Sequence, residues 1–198
     1  TPEQYYEYAE SASDYRLIHI ARAYKTYQKR LKKNNAMDFD DIIFRTVELL
    51  RDHEDIRTYY QRKFRYVLVD EYQDTSHMQY LLTSYLAGGY ENICVVGDDD
   101  QSIYRFRGAT IENILNFEDE YRGAKTIRLE QNYRSTSTIL NAANKVISNN
   151  KGRKGKKLWT SGDIGEKITV RRLDDQNIEA KDIVDTVIEK EEKKGREY

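Results

Sequence analysis

Between Ser13 and Lys33 the apolar residues Leu17, Ile20, Ala21, Tyr24, Tyr27 and Leu31 recur every three or four positions, which predicts one amphipathic helix. Its opposite face carries Arg22, Lys25, Lys29 and Lys33, which reads either as a solvated face or as a stripe facing nucleic acid. Asn34-Asn35 breaks the pattern. Asp38 then offers an N-cap to a second helix over 40–51, with Ile43, Val47 and Leu50 on its inner side. From there strands and helices alternate. Phe64 to Val69 and Asn92 to Val96 are short β-rich apolar runs, read as strands buried on both faces. Helices are predicted over Met78–Ala87, ended by Gly88-Gly89, and over Ile111–Tyr121. Further strands are predicted at Thr126–Leu129 and Ile168–Arg172, and further helices at Ser135–Ile147 and Ile178–Lys194. Such alternation argues an α/β protein with a parallel sheet.

Composition narrows this picture. The chain has 198 residues, and its 33 basic against 34 acidic residues give a formal net charge of −1. That length suits one domain or one and a half. Apolar residues make up 38% and charged residues 34%, against usual shares of roughly 45–50% and about 25%. One real core is therefore expected, with some segments packed on nothing within the chain. The 17 tyrosines supply amphipathic rings for half-buried positions and interfaces. A lone Cys94 excludes an internal disulfide and points to a reducing, cytoplasmic setting. No run approaches the roughly 18–20 apolar residues of a membrane span, and the polar start lacks a signal-peptide pattern. Without an initiator methionine, the chain is expected to be an excerpt of a longer protein. With net charge near zero, any nucleic-acid site must be local.

The strongest chemical signal is Tyr66-Val67-Leu68-Val69-Asp70-Glu71. A strand ending in two carboxylates places them at the carboxyl edge of a parallel sheet, where α/β folds bind ligands. Adjacent carboxylates repel unless neutralised, so a divalent metal is a natural resident. Magnesium suits one or two carboxylates combined with phosphate oxygens. A strand end leading into an acidic helix start is the alternative.

The rest of the chain bears on that choice. Asp70-Glu71-Tyr72-Gln73-Asp74-Thr75 is followed, one helix later, by Val95-Val96-Gly97-Asp98-Asp99-Asp100-Gln101-Ser102-Ile103-Tyr104-Arg105-Phe106-Arg107-Gly108-Ala109. After another helix comes Leu129-Glu130-Gln131-Asn132-Tyr133-Arg134-Ser135. This ordered set resembles the superfamily 1 DNA helicases of the UvrD/PcrA/Rep type, and Met37-Asp38-Phe39-Asp40-Asp41 is similar to the segment that precedes their Walker B strand. The resemblance spans roughly Ser11 to Trp159. It implies a RecA-like, P-loop NTPase motor fold, here incomplete and with extra N-terminal helices. By resemblance, Asp70 holds Mg²⁺, Glu71 activates water for ATP hydrolysis, and Gln73 joins their polar network. Gln101 would sense the γ-phosphate and link ATP to DNA. Tyr104 and Phe106 would stack on single-stranded bases, although the family usually has Trp where Phe106 stands. Arg107 and Arg134 would meet the γ-phosphate, and Tyr133 would pack on the adenine.

Elementary chemistry agrees with these roles. Phosphoanhydride hydrolysis needs positioned water, a metal and cations facing the charge that develops on the γ-phosphate, and arginine offers a planar donor fork. Stacking on aromatics is tolerant of sequence, as a translocating motor requires. Taken alone, the alternation of Tyr104 and Phe106 with arginines is equally that of a half-buried strand. Asp98-Asp99-Asp100 reads as a set of metal ligands or, on the family pattern, with Asp98 as a structural partner of its own loop. The five cations of Lys151–Lys157 read as a solvated loop or a contact to the DNA backbone. His19, His53 and His77 have no ligand spacing.

A phosphate-binding loop, G-x-x-x-x-G-K-[ST], is absent from the 198 residues. The expected organisation is therefore a helical tail of an inserted subdomain over 1–35, the later part of a first RecA-like domain over 36–124, and the start of a second over 125–198. The expected function is that of an internal piece of an ATP-dependent, 3′-to-5′ DNA helicase of repair or replication, inactive alone, with ATP and Mg²⁺ as its cofactors and single strands and duplex junctions as its partners. The rivals are a subunit of a recombination helicase–nuclease and a non-catalytic DNA-binding or scaffolding module.

Overall fold

Thr1 and Gln4 form a reciprocal capping box that opens α1 (Pro2–Ser11), with Pro2 in the first turn, where its missing N–H costs nothing. In this computed structural model, which describes residues 1–194, the chain divides into two compact units. One comprises Thr1–Ile127 with Gly152–Lys154; the other comprises Arg128–Lys151 with the chain from Gly155 on. Residues 195–198 of the expected second domain lie outside the described residues.

In the first unit, α1 packs along α2 (Tyr15–Lys33), the long amphipathic helix, which Asp14 caps. Asp38 caps α3 (Phe39–Asp52) as the sequence predicts, in a capping box with Asp41. Val47 and Leu50 on α3 are buried, and α3 packs on α5 (His77–Ala87), whose Thr83 and Ala87 are buried too. A helix that periodicity does not reveal, α4 (Glu54–Lys63), packs on α3 and α5 without burying any whole residue.

The sheet is smaller and barer than the sequence predicts. β1 (Val67–Val69) and β2 (Ile93–Val95) pair in parallel, with Val67 opposite Ile93, Leu68 opposite Cys94 and Val69 opposite Val95. The expectation of strands buried on both faces is corrected. Alternate residues turn outward, and Leu68 is 76% exposed. Helix α5 covers β1 from one side, and among the described residues nothing comparable covers the other. The helix predicted over 111–121 is instead two short turns, α6 (Glu112–Leu115) and α7 (Phe117–Glu120), meeting at Asn116.

The second unit contains α8 (Ser137–Ile147) and α9 (Gln176–Lys194). The strands predicted at 126–129 and 168–172 are not formed among the described residues. A strand is made by its partner's hydrogen bonds, and among the described residues of this unit the ladder-like contact is a parallel bridge between Gln131 and Trp159. Ile168 and Val170 are left exposed, as expected of a chain with too few apolar residues to bury all its segments. No described helix is long and apolar enough to cross a membrane.

Candidate functional site

The loop after β1 is held in a specific shape. Glu71 has a left-handed backbone, φ 50° and ψ 42°, which costs energy for any residue with a Cβ and is kept only where its surroundings enforce it. Asp70 contributes, its Oδ1 accepting from the Glu71 N–H at 2.9 Å. The next residue, Tyr72, is fully buried with its ring edge-on to Phe117, and burial pushes its phenol pKa well up. Thr75 closes the turn by donating its hydroxyl to the Tyr72 carbonyl at 2.6 Å. Both Asp70 and Glu71 stay exposed on the carboxyl side of β1.

Gln73, only 1% exposed, joins two of the motifs. Its Nε2 donates to Glu71 Oε2 at 2.7 Å, while its Oε1 accepts from the Asp98 N–H at 2.9 Å. Asp98 Oδ2 in turn accepts from Gln101 Nε2 at 2.7 Å. The water-activating candidate and the candidate γ-phosphate sensor are thus the ends of one hydrogen-bonded chain, Glu71–Gln73–Asp98–Gln101. Gly97 makes room for it, since a Cβ there would lie 2.6 Å from Gln73 Oε1 and 2.8 Å from Ile114 Cδ1. A side chain that sequence reasoning missed, Asn113, is buried and donates to the Thr75 carbonyl at 3.2 Å and hydroxyl at 3.1 Å. The Thr110 N–H also donates to the Thr75 carbonyl, so the segment after the second motif is tied back onto the first. A buried Asn at one end of a short helix carries no signature in the sequence pattern.

Tyr104, Phe106 and Arg107 form a separate cluster. Residues Arg105–Arg107 make a single 3-10 turn rather than a strand, closed by Gly108 at φ 86°. The two rings lie 6.0 Å apart, and the Arg107 guanidinium sits over both, 5.4 Å from Tyr104 and 5.6 Å from Phe106. Phe106 is 79% exposed, which excludes the core-packing alternative for this ring. Arg107 is therefore placed with the aromatics, and its described contacts include none with the Glu71 chain.

Asp98, Asp99 and Asp100 bring one carboxylate oxygen each within 4.8 Å of one another. They are not left to each other. Arg153 donates to both oxygens of Asp100, at 2.7 and 2.5 Å, and the Lys154 N–H donates to Asp99 at 2.7 Å. The sequence separation of 53 residues explains why the basic loop was read only as solvated or DNA-facing. Asp98 Oδ1 accepts from the Asp100 N–H at 3.0 Å, which matches the second of the two readings, that of a structural partner of its own turn.

In the second unit Asn132 organises the third motif. Its Oδ1 accepts from the N–H groups of Arg134 and Ser135, at 2.9 and 2.8 Å. Tyr133, 85% exposed, donates its hydroxyl to Gln131 at 2.9 Å. Both Tyr133 and Arg134 present their side chains to solvent.

For Mg²⁺ the donor set is suitable. Two exposed, hard carboxylates stand side by side at the end of a parallel strand, and among the described residues Asp70 Oδ2 and Glu71 Oε1 have no hydrogen-bond partner.

Comparison with known proteins places the chain in a family. Residues 1–122 match the UvrD/REP helicase N-terminal domain, and residues 127–198 match the UvrD-like helicase C-terminal domain. The chain is 50% identical over 187 residues to an ATP-dependent DNA helicase PcrA of Staphylococcus aureus, covering 94% of this chain and 26% of that protein. With the PcrA of Staphylococcus epidermidis it shares 48% identity over 198 residues, which is 100% of this chain and 27% of the relative. The chain thus spans about a quarter of the length of the curated relatives it matches.

Proposed function

Because the chain belongs to the UvrD/REP helicase family, whose motor fold is RecA-like, we propose that it supplies the hydrolytic and DNA-coupling parts of an ATP-dependent DNA helicase. The observation that carries this reading is the chain Glu71–Gln73–Asp98–Gln101. In a motor, a change at the nucleotide must reach the nucleic acid, and this chain leaves the candidate general base and enters the turn that leads to Tyr104 and Phe106. A non-catalytic scaffold would have no use for it.

In this proposal Asp70 would be the direct Mg²⁺ ligand and Glu71 would add its negative charge beside the ion, which would offset the charge of the phosphate oxygens. Glu71 accepts a proton from the attacking water through Oε1, while Gln73 fixes the carboxylate through Oε2. Gln101 monitors the γ-phosphate, and its link to Asp98 carries the change onward. Arg107 and Arg134 supply cations to the transferred phosphoryl group, and Tyr133 packs on the adenine. Arg107 would have to leave the Tyr104 and Phe106 rings to do so. Those two rings stack on the bases of a single strand. The phosphate-binding loop is not among these residues. The whole protein would travel 3′ to 5′ on single strands and open duplex junctions in repair or replication.

Strand displacement on a duplex with a 3′ single-stranded tail tests the reading, using a full-length helicase that carries this segment. ATP-dependent unwinding is expected from the wild type and none from Glu71→Gln. Failure of the wild type on 3′-tailed duplexes, or unwinding by Glu71→Gln, would overturn it.

A further inference from the structure

The basic loop and the acidic triplet remain outside that account, and each explains the other. Three carboxylates within 4.8 Å of one another repel strongly unless a cation or proton intervenes. Asp99 and Asp100 lie in a three-residue 3-10 helix, Asp99–Gln101, that Asp98 caps, and so short a helix has little backbone bonding to resist that repulsion. Each carboxylate has its own partner. Asp98 is bonded to the Asp100 N–H and to Gln101 Nε2, Asp99 to the Lys154 N–H, and Asp100 to the Arg153 guanidinium. Gly152–Lys154 belong to the same compact unit as the triplet. The Arg153 and Asp100 side chains are only 15% and 9% exposed, so solvent and salt screen their pairing little. Lys154 Nζ adds a second anchor on Glu118, 3.2 Å away.

We infer that Arg153 is the cation that holds the Asp98–Asp100 turn in shape and thereby positions Gln101. This rests on the reading of Gln101 as the link between nucleotide and DNA. Arg153 grips both oxygens of Asp100 and so fixes the rotation of that carboxylate, which a single ammonium contact would not do. The grip sets the turn, the turn sets Asp98, and Asp98 holds the Gln101 amide at 2.7 Å. Arg153 is a positioning residue. It acts on the turn and touches no reacting group.

The test is the ratio of DNA-stimulated to unstimulated ATP turnover in a full-length helicase carrying this segment, for wild type, Arg153→Ala, Arg153→Lys and Asp100→Asn. The ratio is expected to fall roughly fivefold or more in Arg153→Ala and in Asp100→Asn, with partial recovery in Arg153→Lys, since residues in one ion-pair network couple by that order. A merely structural role would lower both rates alike and leave the ratio where it was. An unchanged ratio in Arg153→Ala, or equal loss in Arg153→Lys and Arg153→Ala, would overturn the inference. Glu71→Gln serves as the control. If it abolishes turnover while the Arg153→Ala ratio stays at the wild-type value, only this inference fails. If Glu71→Gln turns over normally, the reading of the site fails first.

Discussion

At Gln73 one amide group does what no charged side chain could. It donates to a carboxylate and accepts from a backbone N–H at once, so the two halves of the site are joined without altering the charge at Glu71. The motif residues stood out in the sequence through their resemblance to a helicase family, since two acids after a strand, a glutamine, arginines and aromatics follow in that family's order, whereas the acids alone left two readings open. Arg153 was not legible, because nothing local marks its partner 53 residues away. Asn113 was not either, since a polar residue on a short helix reads as solvent-facing until the fold buries it. For Tyr104 the exposed Phe106 beside it and the guanidinium over both rings favour a surface role. In a full-length helicase carrying this segment, Tyr104→Ala should weaken binding to single strands of any sequence by about 1–3 kcal/mol, measured by fluorescence anisotropy, with the melting temperature nearly unchanged. Normal binding with a clearly lowered melting temperature would make Tyr104 a packing residue.

Among the elements, those with a strong cap and a clean apolar stripe were predicted nearly to the residue. Helix α3 is the example, with Asp38 as its cap and Val47 and Leu50 inward. Helix α4 escaped notice because it buries no whole residue, so its stripe is weak. It is fastened instead by polar bonds, such as Arg57 reaching the Leu50 carbonyl at 2.9 Å and Gln61 reaching the Tyr85 carbonyl at 2.9 Å. Strands fared worst, because apolar β-rich segments become strands only where a partner lies alongside. The cap of α3 also carries a pH dependence. The Asp41 N–H, together with the Tyr27 hydroxyl at 2.8 Å, holds the Asp38 carboxyl below its usual range. A carboxyl whose folded pKa is depressed stabilises fully above its unfolded value, about pH 4, and loses that contribution as pH falls through the lower folded value. Asp38→Ala should therefore melt a few degrees below the wild type at neutral pH. The gap should narrow as the pH drops below about 4. A gap independent of pH, in melts followed by circular dichroism, would remove the charge from this cap.

For the whole molecule, so polar a composition implied that some segments would pack on nothing within the chain, and Leu68, Leu129 and Val170 stand exposed accordingly. The fold class was legible from the strand–helix alternation and the motif order, whereas the extent of the sheet was not, since pairing depends on neighbours that sequence alone does not place. Within these 198 residues lie Asp70, Glu71 and the residues proposed here as relay and stacking groups, but no G-x-x-x-x-G-K-[ST] loop to cradle phosphates. On the proposed mechanism Glu71, fixed by Gln73, takes the proton from the water that attacks ATP. Steady-state ATP turnover at saturating single-stranded DNA measures it most directly, comparing the 198-residue chain, a full-length helicase carrying it, and that helicase with Glu71→Gln. No turnover is expected from the chain alone, DNA-stimulated turnover from the full-length protein, and a loss of orders of magnitude in Glu71→Gln with ATP binding largely retained, because the amide keeps the shape but cannot accept the proton. Turnover at the wild-type rate in Glu71→Gln would contradict it.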